Sequence, residues 1–177
     1  MNSRALELAG IDASTPDPPD GRIERDERGD PVGTLHEGAM TLLERVVPKP
    51  TLDEERRAIL EAQRFLHALG FTAWQEAIVG EYPGIPDCFD AYLSLAASGE
   101  LTARVVGALW FKRGRGAEQI DGLLELRARA LDGRFRATSV KIMQDGVAEN
   151  HTAAMSEPYL DTAVRRNTGL SYFPRTS

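Results

Sequence analysis

Residues 135–146 read FRATSVKIMQDG, and this stretch decides the fold of the chain. Its β-branched and aromatic residues, bounded by Gly133 and Gly146, predict a buried strand from Phe135 to Met143. The strand runs into polar residues, as buried strands of α/β proteins do where their carboxyl ends carry chemistry. Lys141 lies near that end between apolar neighbours. Its ammonium group must find a partner or lose its charge, because burial penalises the charged form.

Two further strands precede this one, and amphipathic helices separate the three. The strands are predicted at Phe71 to Val79 and at Leu101 to Phe111. Helical spacing of apolar residues predicts helices around Phe89 to Ala96 and around Ile120 to Leu131. Strands joined by helices and short turns form right-handed βαβ units with a parallel sheet. Three strands are few for such a sheet, so the pattern predicts an arc of a larger α/β structure.

The first 47 residues give weaker signals. Asn2 to Gly10 is expected to form a short helix that ends at the glycine. Proline, glycine and charged residues dominate Ile11 to Val32, which predicts loop. Apolar residues at nearly helical spacing predict a helix in Gly33 to Val47. A further helix is expected near Ala153 to Tyr159.

The best-marked helix begins after Thr51. Glu54 stands three residues later, so the two form a capping box, and Gly70 is expected to end the helix. Its predicted apolar stripe consists of Ile59, Ala62, Leu66 and Leu69.

Composition excludes several classes of protein. The chain has 177 residues and a net charge of −6, and no basic stripe with interleaved aromatic residues, which argues against a nucleic-acid partner. It has no apolar run long enough to cross a bilayer and no signal-peptide pattern, so the expected location is the cytoplasm and no membrane partner is expected. The lone Cys88 excludes an internal disulfide and is expected to be a buried small side chain rather than a nucleophile.

Four motifs occur along the chain in a characteristic order. They are Asn2-Ser3-Arg4-Ala5-Leu6 with Ala9-Gly10-Ile11, Gly21-Arg22-Ile23 with Gly33-Thr34-Leu35-His36-Glu37, Gly70-Phe71-Thr72, and Val140-Lys141-Ile142-Met143-Gln144-Asp145-Gly146 with Thr152-Ala153. In this order they resemble the YtcJ-like group of metal-dependent amidohydrolases, amidohydrolase family 3. The second motif is similar to the insertion hairpin and following helix of that family. The resemblance extends from Asn2 to about Ser171.

The resemblance implies a fold and a chemistry. The family has a (β/α)8 barrel with a small β-domain, and a divalent metal, usually zinc, activates water to hydrolyse C–N bonds in small amide-type substrates. The chain would then be a partial TIM-type barrel, α/β in class, with about three parallel strands. As one partial catalytic domain, residues 1–177, it would comprise a loop-rich insertion at 11–34, barrel repeats at 51–143 and a truncated tail at 172–177.

The resemblance also assigns two residues of the site. Lys141 stands where the family has its central-strand lysine, a metal ligand that is carboxylated when it bridges two metals. Asp145 is the candidate catalytic residue. Carboxylation would turn the lysine into an anionic oxygen ligand, which would remove the problem of a desolvated ammonium group.

The other ligands of the family have no counterpart in the sequence. There is no His-x-His, and His36, His67 and His151 occupy none of the expected ligand strands. A zinc site needs three or four ligands, so the expectation is a fragment or truncated gene product that is inactive alone and does not retain the metal. Two alternatives stay open: a non-catalytic half-barrel that associates with another chain or with itself, and an unrelated small α/β binding module.

Each candidate residue also has an ordinary structural interpretation. Lys141 could pair with Asp145 or another carboxylate, and Asp145 before Gly146 is typical of a turn. Glu76 could line the pocket or form a salt bridge. Trp74 and Trp110 are most simply residues of the core or of a helix contact, His67 a flank residue and His151 an exposed one.

Overall fold

A computed structural model of the chain describes residues 1–160 and 166–173. The chain divides into two compact units. The hairpin unit comprises Met1–Pro48 and Met143–Ser177, and the sheet unit comprises Lys49–Ile142. Most of the tail predicted at 172–177 lies outside the described residues.

The regular elements of the two units are mainly those that the sequence predicts. In chain order they are α1 (Ser3–Ala9), β1 (Gly21–Arg25), β2 (Pro31–Glu37), a 3-10 helix (Gly38–Leu43), α2 (Leu52–Ala68), β3 (Ala73–Val79), α3 (Phe89–Ser98), β4 (Arg104–Trp110), a 3-10 turn (Ala117–Gln119), α4 (Ile120–Arg129), β5 (Phe135–Lys141) and a 3-10 turn (Ala148–Asn150). Among the described residues, no helix is both long and apolar enough to cross a membrane.

The sheet unit confirms the α/β prediction. Its three strands are parallel in the order β3-β4-β5, with Val105 of β4 in register with Phe135 of β5. α3 connects β3 to β4 and α4 connects β4 to β5, so each strand pair is a βαβ unit. This fully described unit contains three strands, and its sheet does not close into a barrel.

The core of the sheet unit lies between the sheet and its helices. Phe135 is fully buried and stacks on Tyr92 of α3, with ring centroids 5.0 Å apart, while Phe89 meets it edge to face at 5.7 Å. The largest of the other fully buried side chains are Leu95, Leu101, Leu109, Val79 and Val105. Burial of these side chains holds the helices on one face of the sheet.

The capping box of α2 forms as predicted. The Glu54 amide donates to Thr51 Oγ1 at 3.3 Å, and the Thr51 amide donates to Glu54 Oε2 at 2.8 Å. The Thr51 amide and then the Thr51 hydroxyl, which both donate to the Glu54 carboxylate at 2.8 Å, hold the pKa of that carboxyl below its usual value. Gly70, at φ +88°, follows the end of the helix.

The apolar stripe predicted for α2 is partly wrong. Ile59 is buried, but Ala62 and Leu69 are exposed. Gln63 is buried in their place, because its side chain binds the backbone between α3 and β4. Its Oε1 accepts from the amides of Thr102 (2.8 Å) and Ala103 (3.1 Å), and its Nε2 donates to the Glu100 carbonyl (3.1 Å).

The hairpin unit corrects the predictions for residues 11–47. β1 and β2 pair antiparallel, with Ile23 opposite Leu35, where the composition predicted loop over Ile11 to Val32. The helix predicted within Gly33 to Val47 is wrong for its first residues, which belong to β2; only the 3-10 helix Gly38–Leu43 follows. The resemblance to an insertion hairpin was therefore the better guide than composition.

The physical reason is that the hairpin needs few apolar residues. Ile23, Leu6, Ile11 and Ala39 form its small core. The Asp26 carboxylate closes the turn by accepting from the amides of Arg28 and Asp30, both at 2.9 Å. The polar segment satisfies its backbone groups locally, so the charged composition does not prevent strand formation.

The helix expected near Ala153 to Tyr159 is also wrong. This segment is irregular, and its amides pair with a later part of the chain: Met155 with the Thr168 carbonyl and Tyr159 with the Asn167 carbonyl, both at 2.9 Å. Pro158 removes one amide that a continuous helix would need.

The Gln63 contacts generate a stability prediction. Gln63→Ala leaves the buried Ala103 amide and the Thr102 amide without an acceptor. We therefore expect the free energy of unfolding to fall by about 2–4 kcal/mol. Gln75→Ala, at an exposed position of β3, is the control and should stay within about 0.5 kcal/mol. Urea unfolding followed by circular dichroism measures both. Equal losses in the two variants would show that the Gln63 hydrogen bonds contribute nothing.

Candidate functional site

The carboxyl ends of the three parallel strands form one edge of the sheet. Lys141, the last residue of β5, is in register with Trp110, the last residue of β4, and the Phe111 amide donates to the Lys141 carbonyl at 3.0 Å. Parallel α/β sheets commonly bind ligands at this edge, because the loops that follow the strands meet there. The strand therefore places Lys141 where the sequence analysis expected it.

The Lys141 side chain is half-buried. Within the sheet unit, which is described throughout, its ammonium group has no hydrogen bond and no ion pair. A pairing with a carboxylate of this unit, one of the structural interpretations of the sequence, is therefore not found. Its role as a metal ligand stays a prediction.

Trp110 forms an aromatic contact beside Lys141. Its ring meets that of Tyr82 edge to face, with centroids 4.9 Å apart. Gly80, at φ +138°, permits this approach, because a Cβ there would lie 2.8 Å from the Trp110 Cβ. Trp110 is buried, which confirms its predicted packing role.

Glu81 follows β3 and joins two cations at the same edge. Its Oε1 lies 3.4 Å from Lys49 Nζ, and its Oε2 lies 3.3 Å from Lys112 Nζ. Hydrogen bonds from Lys112 and then Lys49, with their charges, hold the pKa of the Glu81 carboxyl below its usual value.

Gln119 fixes the connection between β4 and α4. The Lys112 amide donates to its Oε1 at 2.9 Å, and its Nε2 donates to the carbonyls of Lys112 (3.2 Å), Arg115 (2.7 Å) and Gly116 (3.1 Å). The sequence analysis missed this buried glutamine. A glutamine directly before an amphipathic helix and after a Gly-rich turn was the available signal.

Asp145 belongs to the hairpin unit. Its Oδ2 accepts from the Ala154 amide at 3.0 Å, and its backbone forms a bridge with Ser171. Thr152 Oγ1 accepts from the Val147 amide at 3.0 Å and lies 3.3 Å from Glu37 Oε1. The structural interpretation of Asp145, a carboxylate that binds nearby backbone, is thus observed, and its catalytic role stays a prediction.

Each of the three histidines has different neighbours. His36 Nε2 lies 2.8 Å from Glu24 Oε1 on the hairpin, and the His151 ring lies 4.9 Å from the Tyr159 ring. His67 is in the last turn of α2, where its Nε2 is buried and has no hydrogen-bond partner. Over residues 1–160 and 166–173, no group of three or more His, Cys, Asp or Glu side chains is arranged to hold a metal.

Glu76 and Cys88 lie on the helix side of the sheet unit. Glu76 Oε2 accepts from the Tyr92 hydroxyl at 2.9 Å, and the Tyr92 hydroxyl accepts from Trp74 Nε1 at 3.3 Å. Burial, and then the Glu76 carboxylate, raise the pKa of Tyr92. The predicted salt bridge of Glu76 is therefore replaced by a neutral donor.

Cys88 precedes α3 and is half-buried. Burial raises the pKa of its thiol to about 12, and the nearby carboxylates of Glu76 and Asp87 contribute in the same direction. A thiol with this pKa is protonated at neutral pH. Its role as a packing residue rather than a nucleophile stays a prediction.

Comparisons with known proteins identify a family and several similar proteins. The sequence profile described as the amidohydrolase family matches residues 1–176. The exoenzymes regulatory protein AepA of Pectobacterium carotovorum is 30% identical over 168 residues, which are 89% of this chain and 34% of that protein. The putative amidohydrolase YtcJ of Bacillus subtilis is 29% identical over 162 residues, 91% of this chain and 29% of that protein.

A solved structure shows the same fold. The crystal structure of an uncharacterized metal-dependent hydrolase from Pyrococcus furiosus superposes with a TM-score of 0.59 at 23% identity, covering 97% of this chain and 32% of that one. The chain thus spans about a third of the length of the curated relatives it matches.

The Cys88 environment predicts slow thiol chemistry. With a pKa of about 12, the thiolate fraction at pH 8 is about a thousandfold below that of an ordinary cysteine. We expect iodoacetamide to alkylate the folded chain about a thousandfold more slowly than the urea-unfolded chain, as measured by mass spectrometry. Alkylation of the folded chain at the unfolded rate would contradict this assignment.

Glu55, at the start of α2, predicts a dependence of stability on pH. Burial, then repulsion from Asp87 and Asp90, raises the pKa of its carboxyl. The ionised form is disfavoured in the folded state, so stability falls as the pH rises from the ordinary glutamate value through the raised one.

Glu55→Gln removes this loss. We expect the variant to melt about 1–3 °C above the wild type at pH 7 and at the same temperature as the wild type near pH 3.5. Glu125→Gln, at an exposed position of α4, is the control. Equal effects of both substitutions at pH 7 would exclude a special role of Glu55.

Proposed function

The chain belongs to the amidohydrolase family, and on that premise we propose that it forms part of the catalytic domain of a metal-dependent hydrolase. Its substrates would be small molecules with carbon–nitrogen bonds of the amide type. Family membership removes the alternative of an unrelated α/β binding module. It leaves the reaction itself as a proposal, because the chain spans only about a third of its relatives.

The observation that carries the proposal is the position of Lys141. It ends the third of three parallel strands at the ligand-binding edge, and its ammonium group has no partner within the sheet unit. Addition of the deprotonated amine to CO2 forms an N–C bond and releases one proton to solvent. The product is a carbamate, whose anionic oxygens suit a divalent cation. We assign Lys141 one ligand position of the metal, with zinc as the proposed ion.

The described residues do not fit a complete metal site. A zinc site takes three or four protein ligands in catalytic and structural centres, and no such cluster exists among residues 1–160 and 166–173. The proposal is that this chain alone is inactive and that the other ligands belong to polypeptide beyond these 177 residues.

Asp145 is proposed as a catalytic residue of the complete enzyme. Its Oδ2 accepts a hydrogen bond from the Ala154 amide, which fixes the orientation of the carboxylate. A carboxylate held in this way is oriented before substrate binds.

Cytoplasmic location stays a prediction from the sequence.

A second candidate is a non-catalytic half-barrel that associates with another chain or with a copy of itself. Within the sheet unit, β3 and β5 each have a strand neighbour on one side only. Unpaired strand edges present free amides and carbonyls to a partner. This candidate predicts a dimer or higher oligomer and no dependence of any property on metal.

Metal analysis tests the proposal. We expect the purified chain, incubated with zinc and bicarbonate and passed through a desalting column, to retain well below one zinc per chain. The reason is that one lysine ligand gives too little affinity. One tightly held zinc per chain that Lys141→Ala does not remove would overturn the assignment of Lys141.

A chimera tests the role of Lys141 in a complete site. Residues 1–176 replace the matching segment of the Bacillus subtilis relative, and zinc content is measured by mass spectrometry. Lys141→Ala should weaken zinc binding by more than the ~10- to 100-fold typical of residues outside the ligand shell. The matched control is Lys49→Ala, which should leave the zinc content unchanged. Equal zinc content in all three chimeras would show that Lys141 is not a ligand.

A further inference from the structure

The lysines of this chain occupy one region of the fold. Only three of its 21 Lys and Arg residues are lysines, and all three lie in the sheet unit. Lys112 follows β4 by two residues, Lys141 ends β5, and Lys49 contacts Glu81, which follows β3 by two residues. The parallel strands thus bring Glu81 with its Lys49 contact, Lys112 and Lys141 to the same edge of the sheet.

Lys49 and Lys112 hold a carboxylate between them. Each oxygen of Glu81 faces a different ammonium group, at 3.4 Å for Lys49 and 3.3 Å for Lys112. Glu81 shows that the spacing of these two lysines, called here the lysine clamp, suits a group with two anionic oxygens. A carboxylate or phosphate from another molecule has the same chemistry.

The contact with Glu81 is exchangeable. The side chains of Lys49 and Glu81 are 85% and 66% exposed, and that of Lys112 is 46% exposed. Ion pairs of such exposure contribute little to stability, because water and salt screen them. An external anion can therefore displace Glu81 without breaking a buried contact.

Hydrogen bonds fix the backbone of Lys112, one of the two lysines of the clamp. Gln119 binds both the amide and the carbonyl of Lys112. The origin of the Lys112 side chain is fixed before any ligand binds, which lowers the entropic cost of binding. Lys49 and Lys112 carry two positive charges against the one negative charge of Glu81, so the three side chains together keep one net positive charge in a chain of net charge −6.

We propose that the lysine clamp binds the carboxylate or phosphate group of a small ligand in place of Glu81, which acts as an internal competitor. Where that ligand is the substrate, the inference rests on the proposed function and assigns the hydrolase an anionic substrate. Binding of the anion itself requires neither metal nor catalysis.

Reductive methylation with 13C-formaldehyde provides the test. It labels three lysines and the amino terminus, and it keeps their positive charge. Lys→Arg variants assign each signal. The labelled chain is titrated with acetate and with inorganic phosphate at constant ionic strength, with chloride as the reference anion.

We expect saturable shifts of the Lys49 and Lys112 signals, without a saturable shift at the amino terminus, which donates to the Gly33 carbonyl in the hairpin unit. Glu81→Gln removes the competitor and should tighten binding about two- to fivefold. Lys112→Gln should abolish the saturable shift of Lys49. Glu118→Gln is the matched control for loss of one loop carboxylate and should leave the affinity unchanged.

Saturable shifts with acetate, with phosphate or with both support anion binding by the lysine clamp, and they identify the anion. Linear shifts equal to those in chloride would overturn it, as would equal affinities of the wild type and Glu81→Gln. These outcomes are independent of zinc content. Failure of the clamp therefore leaves the assignment of Lys141 intact, and failure of the zinc experiment leaves anion binding to be judged on its own signals.

Discussion

The common direction of β3, β4 and β5 is the constraint on which the rest of the sheet unit depends. Parallel strands cannot be joined by tight turns, so each pair needs a crossover, and here α3 and α4 supply it. The crossovers pack the helices against the sheet. The apolar residues between them form one core, in which the Phe135 ring stacks on the Tyr92 ring. The crossovers also return every strand to the same starting edge, which leaves the opposite edge for the loops with Glu81, Lys112 and Lys141.

The predictable part of the fold is the part in which local sequence and tertiary packing agree. The strand ending at Lys141, its two parallel neighbours and the capped helix α2 each had a strong local signal, and each is present. β1 and β2 were missed by composition, because a hairpin with one buried isoleucine can form from polar residues when its turn binds its own backbone.

The polar residues of the candidate site were less predictable. Gln63 and Gln119 stabilise backbone that is distant in sequence or irregular, and no periodic pattern marks a side chain whose partners are carbonyls and amides. Lys141 was found because a lysine between two apolar residues near the end of a predicted strand is unusual in sequence. The histidines illustrate the limit: the sequence lists them, but only the fold shows that His36 binds Glu24 and that His151 lies against Tyr159.

The two units differ in how their chain is connected, and this affects the order in which they fold. The sheet unit is one continuous segment, whereas the hairpin unit needs two segments separated by all of the sheet unit. Joining distant segments carries a loop-closure entropy that grows with the length of the intervening chain. On a ribosome the second segment also emerges after the sheet unit. We therefore expect the sheet unit to collapse first, which would shorten the effective distance between the two segments and speed the completion of the hairpin unit.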